Sequence, residues 1–251
     1  MGKPYQGFVG RLPAGGIIVS SILMGIGAFM LLLSSIMISL LVYIDLTLLL
    51  LGSIASFAGI AVFMPASIST GSALATLARS SSSTLRAALA RASGDSSQQA
   101  FEEIFSLEPQ IPSPLNSIKL AMTSIILVIL LLLSLFINLP PLARLAMILI
   151  GATVAPITMI AAVYSLVEET RGWLEKHVTL ELYMLKKIPQ DLRGHQDPPI
   201  PRKLLISNTI LISLITMGIY MIYSLPVSIL ELNRHIDWHR DYEQKLSEKI
   251  G

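Results

Sequence analysis

Long, uninterrupted apolar runs dominate this chain, in place of the regular alternation that builds a soluble core. Crossing a hydrocarbon layer of roughly 30 Å requires about 20 helical residues. Five runs reach that length, and they cover residues 17–44, 46–64, 118–137, 142–167 and 204–230. The pattern predicts an all-α, polytopic integral membrane helical bundle of about five transmembrane helices, with short amphipathic cytoplasmic helices between them.

Short turns join the first run to the second and the third run to the fourth. Asp45 is the only charged residue in the first turn, and residues 138–141 form the second. These pairs read as transmembrane hairpins, each followed by a longer polar segment. The predicted segments are the N-terminal part and first hairpin (1–64), a cytoplasmic helical loop (65–117), the second hairpin (118–167), a cytoplasmic loop (168–203), and the last transmembrane helix with its tail (204–251).

Composition supports the bilayer as the main solvent. Hydrophobic residues make up 53% of the chain and charged residues only 14%, whereas soluble domains carry roughly 25% charged residues. The chain has no cysteine, which excludes disulfides, thiolate metal sites and cysteine nucleophiles. The net charge of +2 does not call for a nucleic-acid partner.

Lysine and arginine orient the predicted bundle. With five spans, the N-terminal segment and both long loops share one face and hold thirteen of these residues, against five on the other face. The positive-inside rule then predicts a multi-pass protein of the cell membrane with a cytoplasmic N-terminus and an external tail. The tail is at odds with this rule, because it carries Arg234, Arg240, Lys245 and Lys249.

The first long loop contains an amphipathic stretch from Thr70 to Ala92. Its leucines recur at helical spacing, while its arginines fall on another face. A helix of this kind needs cover for its apolar side, so we expect it at the cytoplasmic membrane surface or against a partner. The predicted lipid or partner contacts are Leu77, Leu85, Arg79, Arg86 and Arg91.

Small residues recur within the apolar runs at a spacing of four. In lipid, close packing of small side chains holds helices together, so Gly25, Gly52, Gly59 and Gly151 are predicted packing positions. Pro156 lies inside the fourth run and is predicted to kink it. An alternative interpretation gives the hydroxyl-bearing residues a polar path through the bundle, formed by Ser20, Ser21, Ser34, Ser35, Thr123 and Ser124.

The tail holds one constellation with potential chemistry. Glu231, His235 and His239 are spaced i, i+4 and i+8, which places them on one helical face where two histidines and a carboxylate can hold zinc. Arg234 and Arg240 flank them and oppose a cation, and the HExxH pattern is not present. We therefore expect no metal and no cofactor, and we interpret the tail as a contact arm.

The alternation of hairpins with helical loops resembles, in layout, the polytopic platform proteins of pilus and type II secretion systems. It is also similar in layout to the membrane subunits of archaeal DNA-import and type IV secretion-like machines. The resemblance implies a channel or platform role, and no motif of either family matches residue by residue.

No enzyme motif is visible, since the chain lacks a Walker A loop, a dinucleotide fingerprint and a Gly-x-Ser-x-Gly elbow. The five runs also carry no ionisable residue at mid-depth, which argues against proton coupling. We expect a non-enzymatic membrane subunit of a macromolecular translocation machine. Its expected partners are membrane lipids, other membrane subunits and a cytoplasmic ATPase, with nucleic acid only as cargo. The alternatives are a small-solute permease, which needs a polar midplane site, and a membrane enzyme without a recognisable motif.

Overall fold

The computed structural model describes residues 12–41, 44–92, 110–186 and 206–250, which are helical apart from short connections. Four of the described helices are long and apolar enough to cross a membrane. The predicted all-α membrane bundle is thereby confirmed, with an approximate count of spans. The helices are α1 (Ala14–Leu41), α2 (Leu46–Ala92), α3 (Leu115–Phe136), α4 (Pro141–Leu185), α5 (Ile206–Ile215) and α6 (Ile219–Ile250).

Two of the helices are far longer than a membrane requires. α2 has 47 residues and α4 has 45, so at 1.5 Å per residue each is about 70 Å long, more than twice the hydrocarbon thickness. Both helices run antiparallel to α1. They start at the end of the bundle where α1 finishes and continue past the end where α1 begins. We call this second end the N-face. Their polar C-terminal halves therefore stand out from the N-face.

Residues 65–92 differ from the sequence prediction, which made them part of a separate loop. They continue α2 without a break through Pro65. α4 likewise continues through Pro156, the predicted kink. The helix persists at both prolines because neighbouring helices and local adjustments can satisfy the backbone groups that a proline frees.

Glycines allow the hairpin helices to approach closely. A Cβ on Gly52 would lie 3.0 Å from Met30 Cβ, and a Cβ on Gly59 would lie 2.8 Å from the backbone nitrogen of Met24. A Cβ on Gly151 would lie 2.6 Å from Leu131 Cβ. Gly52 and Gly59 therefore lie at the α1–α2 interface and Gly151 lies at the α3–α4 interface, where small residues let the backbones come together.

The fifth predicted span, residues 204–230, is not one continuous helix. α5 ends at Ile215 and α6 begins at Ile219, and between them Met217 and Gly218 take positive φ angles of 50° and 88°. The Tyr164 hydroxyl lies 2.9 Å from Ser213 Oγ and 2.5 Å from Ser224 Oγ. Eleven residues of continuous helix would hold the two serines about 16 Å apart, so one hydroxyl can reach both only because the chain bends sharply between α5 and α6.

The turn of this hairpin packs against the middle of α1. A Cβ on Gly218 would lie 3.0 Å from the carbonyl oxygen of Gly25 and 3.1 Å from Ala28 Cβ. Gly25 lies eleven residues along α1, or roughly 16 Å from its start. This depth is close to the centre of the hydrocarbon layer, so we call α5 and the first turns of α6 the re-entrant hairpin.

α6 then runs back along α1 to the N-face. The Leu12 N–H donates a hydrogen bond to Asn233 Oδ1 at 2.9 Å, and Asn233 Nδ2 donates to the Leu12 carbonyl at 3.4 Å. These bonds fix α6 beside the beginning of α1. The structure therefore corrects the predicted position of the tail, which lies on the same face as the beginning of α1 because the apolar run turns back at mid-depth.

The side of the tail can be tested by cysteine labelling, because the natural chain has no cysteine. Single cysteines at Lys186, Glu248 and Asn138 lie at exposed positions. In intact cells, an impermeant maleimide should treat Lys186→Cys and Glu248→Cys alike, so that both are labelled or both are protected. Asn138→Cys should show the opposite result. If Glu248→Cys and Asn138→Cys show the same labelling, the tail lies on the opposite face, and the prediction of a continuous fifth span is correct.

The close approach of α1 and α2 can be tested with two glycines. Gly59→Ala forces the new Cβ against backbone, and overpacking of this kind costs about 1–3 kcal/mol, so the thermal midpoint of the detergent-solubilised protein should fall. Gly172→Ala is the matched control, since a Cβ there meets nothing within 4 Å and a Gly-to-Ala change inside a helix stabilises by roughly 0.5–1 kcal/mol. Equal midpoints for the two variants would contradict the described interface.

Candidate functional site

A buried polar cluster joins α4 to α6 on the N-face. His177 and Glu181 are one helical turn apart on α4, and His177 Nε2 lies 3.0 Å from Glu181 Oε1. His239 on α6 brings its Nε2 into close contact with the same carboxylate oxygen. One donor atom from each residue lies within 4.8 Å of the other two. We call these three residues the His–Glu–His cluster.

The cluster stands outside the apolar part of α4. Charged side chains begin at Glu168, and Glu181 lies thirteen residues further along the helix, or about 20 Å beyond it. Yet His177, Glu181 and His239 are only 2–3% exposed. A carboxylate buried this deeply needs charged or hydrogen-bonding partners, and the His239 imidazole is in hydrogen-bond contact with its Oε1.

Aromatic rings surround the cluster. The Trp173 ring stacks on His177 with 4.6 Å between centroids, and the Trp238 ring meets His239 edge-on at 6.1 Å. His235 lies next to His239 with 6.5 Å between the ring centroids. These contacts restrict rotation of both cluster imidazoles and keep the two rings beside Glu181.

A cleft of about 910 Å³ opens on the N-face beside α4. It lies between the segment that leads into α3 and the outer half of α4. Asn116 Nδ2 donates a hydrogen bond to Glu169 Oε1 at 3.3 Å across it. The cleft is lined by Gln110, Pro112, Ser113, Asn116, Glu168, Glu169, Gly172, Trp173, Lys176, Thr179, Leu180 and Tyr183.

The predicted contact residues of the amphipathic stretch have different positions. Leu77 is fully buried within the chain, so neither lipid nor a partner reaches it directly. The other helices of the bundle cover this part of the apolar side, which was predicted to need cover. Arg79 is exposed. The side chains of Leu85, Arg86 and Arg91 lie outside the described part of the structure, and their assignment stays a prediction.

The structure separates the three residues of the candidate tail site, Glu231, His235 and His239. His239 belongs to the His–Glu–His cluster, His235 is buried beside it, and Glu231 is partly exposed. Glu231 is not a member of the cluster because the carboxylate that meets His239 comes from Glu181. Sequence reasoning missed His177 and Glu181, although their i, i+4 spacing on one helical face is a visible signal.

Comparisons with known proteins found no match: no family model, curated protein or solved structure is similar to this chain.

Removal of the Glu181 charge should loosen α6. Glu181→Gln keeps the size of the side chain but weakens hydrogen bonds to a charged group, each of which contributes about 1.5–3 kcal/mol. Trypsin should then cleave at Arg234 or Arg240 roughly ten times faster than in the natural protein. Glu175→Gln, at an exposed position of α4, is the control and should leave cleavage unchanged. An unaltered rate in Glu181→Gln would mean that the cluster does not hold α6.

Proposed function

We propose that this protein is a non-enzymatic subunit of a membrane translocation machine, and that its N-face is a platform on which partners dock. The observation that supports it best is the extension of α2 and α4 far beyond the bilayer on one face. The tail returns to that face as well, and the His–Glu–His cluster fixes it there. Ordered helices that rise from a membrane offer a rigid surface to a partner.

Several hydroxyl groups of the spans are occupied within their own helix, which favours this role over a small-solute permease. A permease of this size needs a polar site near the midplane. Ser21 donates its hydroxyl to the Ile17 carbonyl at 2.6 Å, and Ser56 donates to Gly52 at 2.7 Å. Ser20 and Ser34 also bond to carbonyls of their own helix. Hydroxyls engaged in this way are occupied within their helix and give little support to a solute path.

The cleft beside α4 suits a docked polypeptide. Tyr183 is 51% exposed and offers aromatic surface, which is enriched among residues that dominate binding energy. Glu168 and Lys176 provide charges of both signs at its edge. We propose that a cytoplasmic ATPase of the machine binds here, while other membrane subunits contact the lipid-facing sides of the spans.

The distribution of basic residues supports a cytoplasmic N-face. Twelve lysines and arginines belong to the described ranges, and eleven of them lie toward the N-face ends of their helices, whereas Arg144 lies at the opposite face. The positive-inside rule places such a face in the cytoplasm of a cell membrane. The asymmetry is larger than the sequence-based topology predicted.

Affinity purification from native membranes tests the docking proposal. The full chain, extracted in mild detergent, should bring down a protein with ATPase activity. Tyr183→Ala should reduce that recovery at least about tenfold, because loss of an aromatic hot spot costs about 2 kcal/mol or more. Tyr223→Ala is the matched control, since Tyr223 is 70% exposed but does not line the cleft.

Two results would contradict the proposal. One is a purified chain that brings down no ATPase, or one whose recovery is the same in Tyr183→Ala and Tyr223→Ala. The other is uptake of a small solute by liposomes that contain this protein alone, which would favour the permease.

A further inference from the structure

The donor set of the His–Glu–His cluster matches that of a metal site. Two imidazoles and one carboxylate are the three protein ligands of many zinc sites, where a fourth position remains open to water or another ligand. Imidazole also suits other first-row divalent ions such as cobalt and nickel, whereas magnesium and calcium prefer oxygen ligands alone. The chemistry therefore points to a transition-metal ion.

His177 carries an unmet requirement that a metal would satisfy. Its ring is 2% exposed, and neither ring nitrogen has a hydrogen-bond partner within the described ranges. Its Nε2 lies 3.0 Å from Glu181 Oε1 but is not aligned for a hydrogen bond. A buried polar atom left without a partner costs about 1–3 kcal/mol. A cation between the three side chains would take up the Nε2 lone pair and the carboxylate charge together.

Arg234 and Arg240, whose charges were expected to oppose a metal in the tail, are not directed at the cluster. Arg234 and Arg240 are exposed, whereas His235 and His239 are buried on the other side of α6. The Arg240 guanidinium lies 3.5 Å from Asp237 Oδ1, which offsets its charge. Electrostatic opposition from these two residues is therefore weak at the cluster.

We propose that His177, Glu181 and His239 bind one divalent transition-metal ion, with zinc the best fit to the donor set. His177 and Glu181 come from one turn of α4 and His239 comes from α6, so the ion links two helices that are far apart in sequence. The metal fastens the returning tail to the outer half of α4. This site is independent of the docking proposal, and either can fail without the other.

Metal binding can be measured directly on the full chain, purified in detergent with an affinity tag that contains no histidine. After treatment with a chelator, the protein should bind one zinc ion per chain by elemental analysis and calorimetry. Cobalt is the spectroscopic probe, and it should give the visible absorption bands of a four-coordinate site. Zinc should displace cobalt and abolish these bands.

Substitutions identify the ligands. His177→Ala, Glu181→Gln and His239→Ala should each weaken zinc binding by at least about 100-fold, which is the upper end of what loss of an outer-shell partner costs. His235→Ala is the matched control, since His235 is a buried neighbour outside the cluster, and its affinity should stay within a few-fold of the natural protein. Circular dichroism and gel filtration confirm that each variant is folded.

Three outcomes would overturn the proposal. The first is zinc binding by the natural protein that is no tighter than binding by the His177→Ala, His239→Ala double variant. The second is a cobalt spectrum with only the weak bands of a six-coordinate aqueous ion. The third is a loss of affinity in His235→Ala as large as that in His177→Ala, which would assign the metal to a different set of ligands. The second outcome uses the natural protein alone and does not depend on the folding of any variant.

Discussion

Backbone groups at membrane depth must find hydrogen-bond partners inside the protein, and this constraint shapes the C-terminal part of the chain. The reversal at residues 216–218 satisfies it locally. The Gly218 N–H donates to the Ser213 carbonyl at 2.6 Å, and the Tyr220 N–H donates to Thr216 Oγ1 at 3.1 Å. Gly25 on α1 has no side chain to obstruct the turn, so the hairpin can be seated against protein and away from lipid.

The position of α6 on the N-face depends on this reversal. Because the chain turns back at mid-depth, α6 leaves the bundle beside the start of α1, where Asn233 holds Leu12. The next turns of α6 then bring His239 to Glu181. A continuous fifth span would place His239 on the opposite face, and the His–Glu–His cluster would not exist.

Apolar length predicted the bundle and four of its spans correctly, because a hydrocarbon solvent demands runs of that size. The same criterion failed for residues 204–230, since a hairpin that goes halfway and returns is as apolar as a helix that crosses. Two signals pointed to the hairpin, namely Gly218 within the run and the basic residues of the tail. The second signal was visible as a conflict with the positive-inside rule.

Sequence periodicity could not predict the His–Glu–His cluster, for a related reason. Helical spacing groups residues of one helix, and it joined His239 to Glu231 and His235. The actual partner of His239 is Glu181, 58 residues earlier in the chain, and only the path of the hairpin brings them together. Helical spacing likewise grouped Leu77 with the apolar side of its own helix, but it could not show that other helices of the bundle bury this residue.

The most direct test of this account is a distance between spin labels at Leu211 and Val227, both exposed positions of the re-entrant hairpin. In a continuous helix these residues would be about 24 Å apart along the axis. The hairpin predicts strong dipolar broadening in lipid nanodiscs, because the sharp bend at residues 216–218 brings the two positions well within that separation. A distance near 24 Å with no broadening would contradict the reversal, and with it the position of α6 on the N-face.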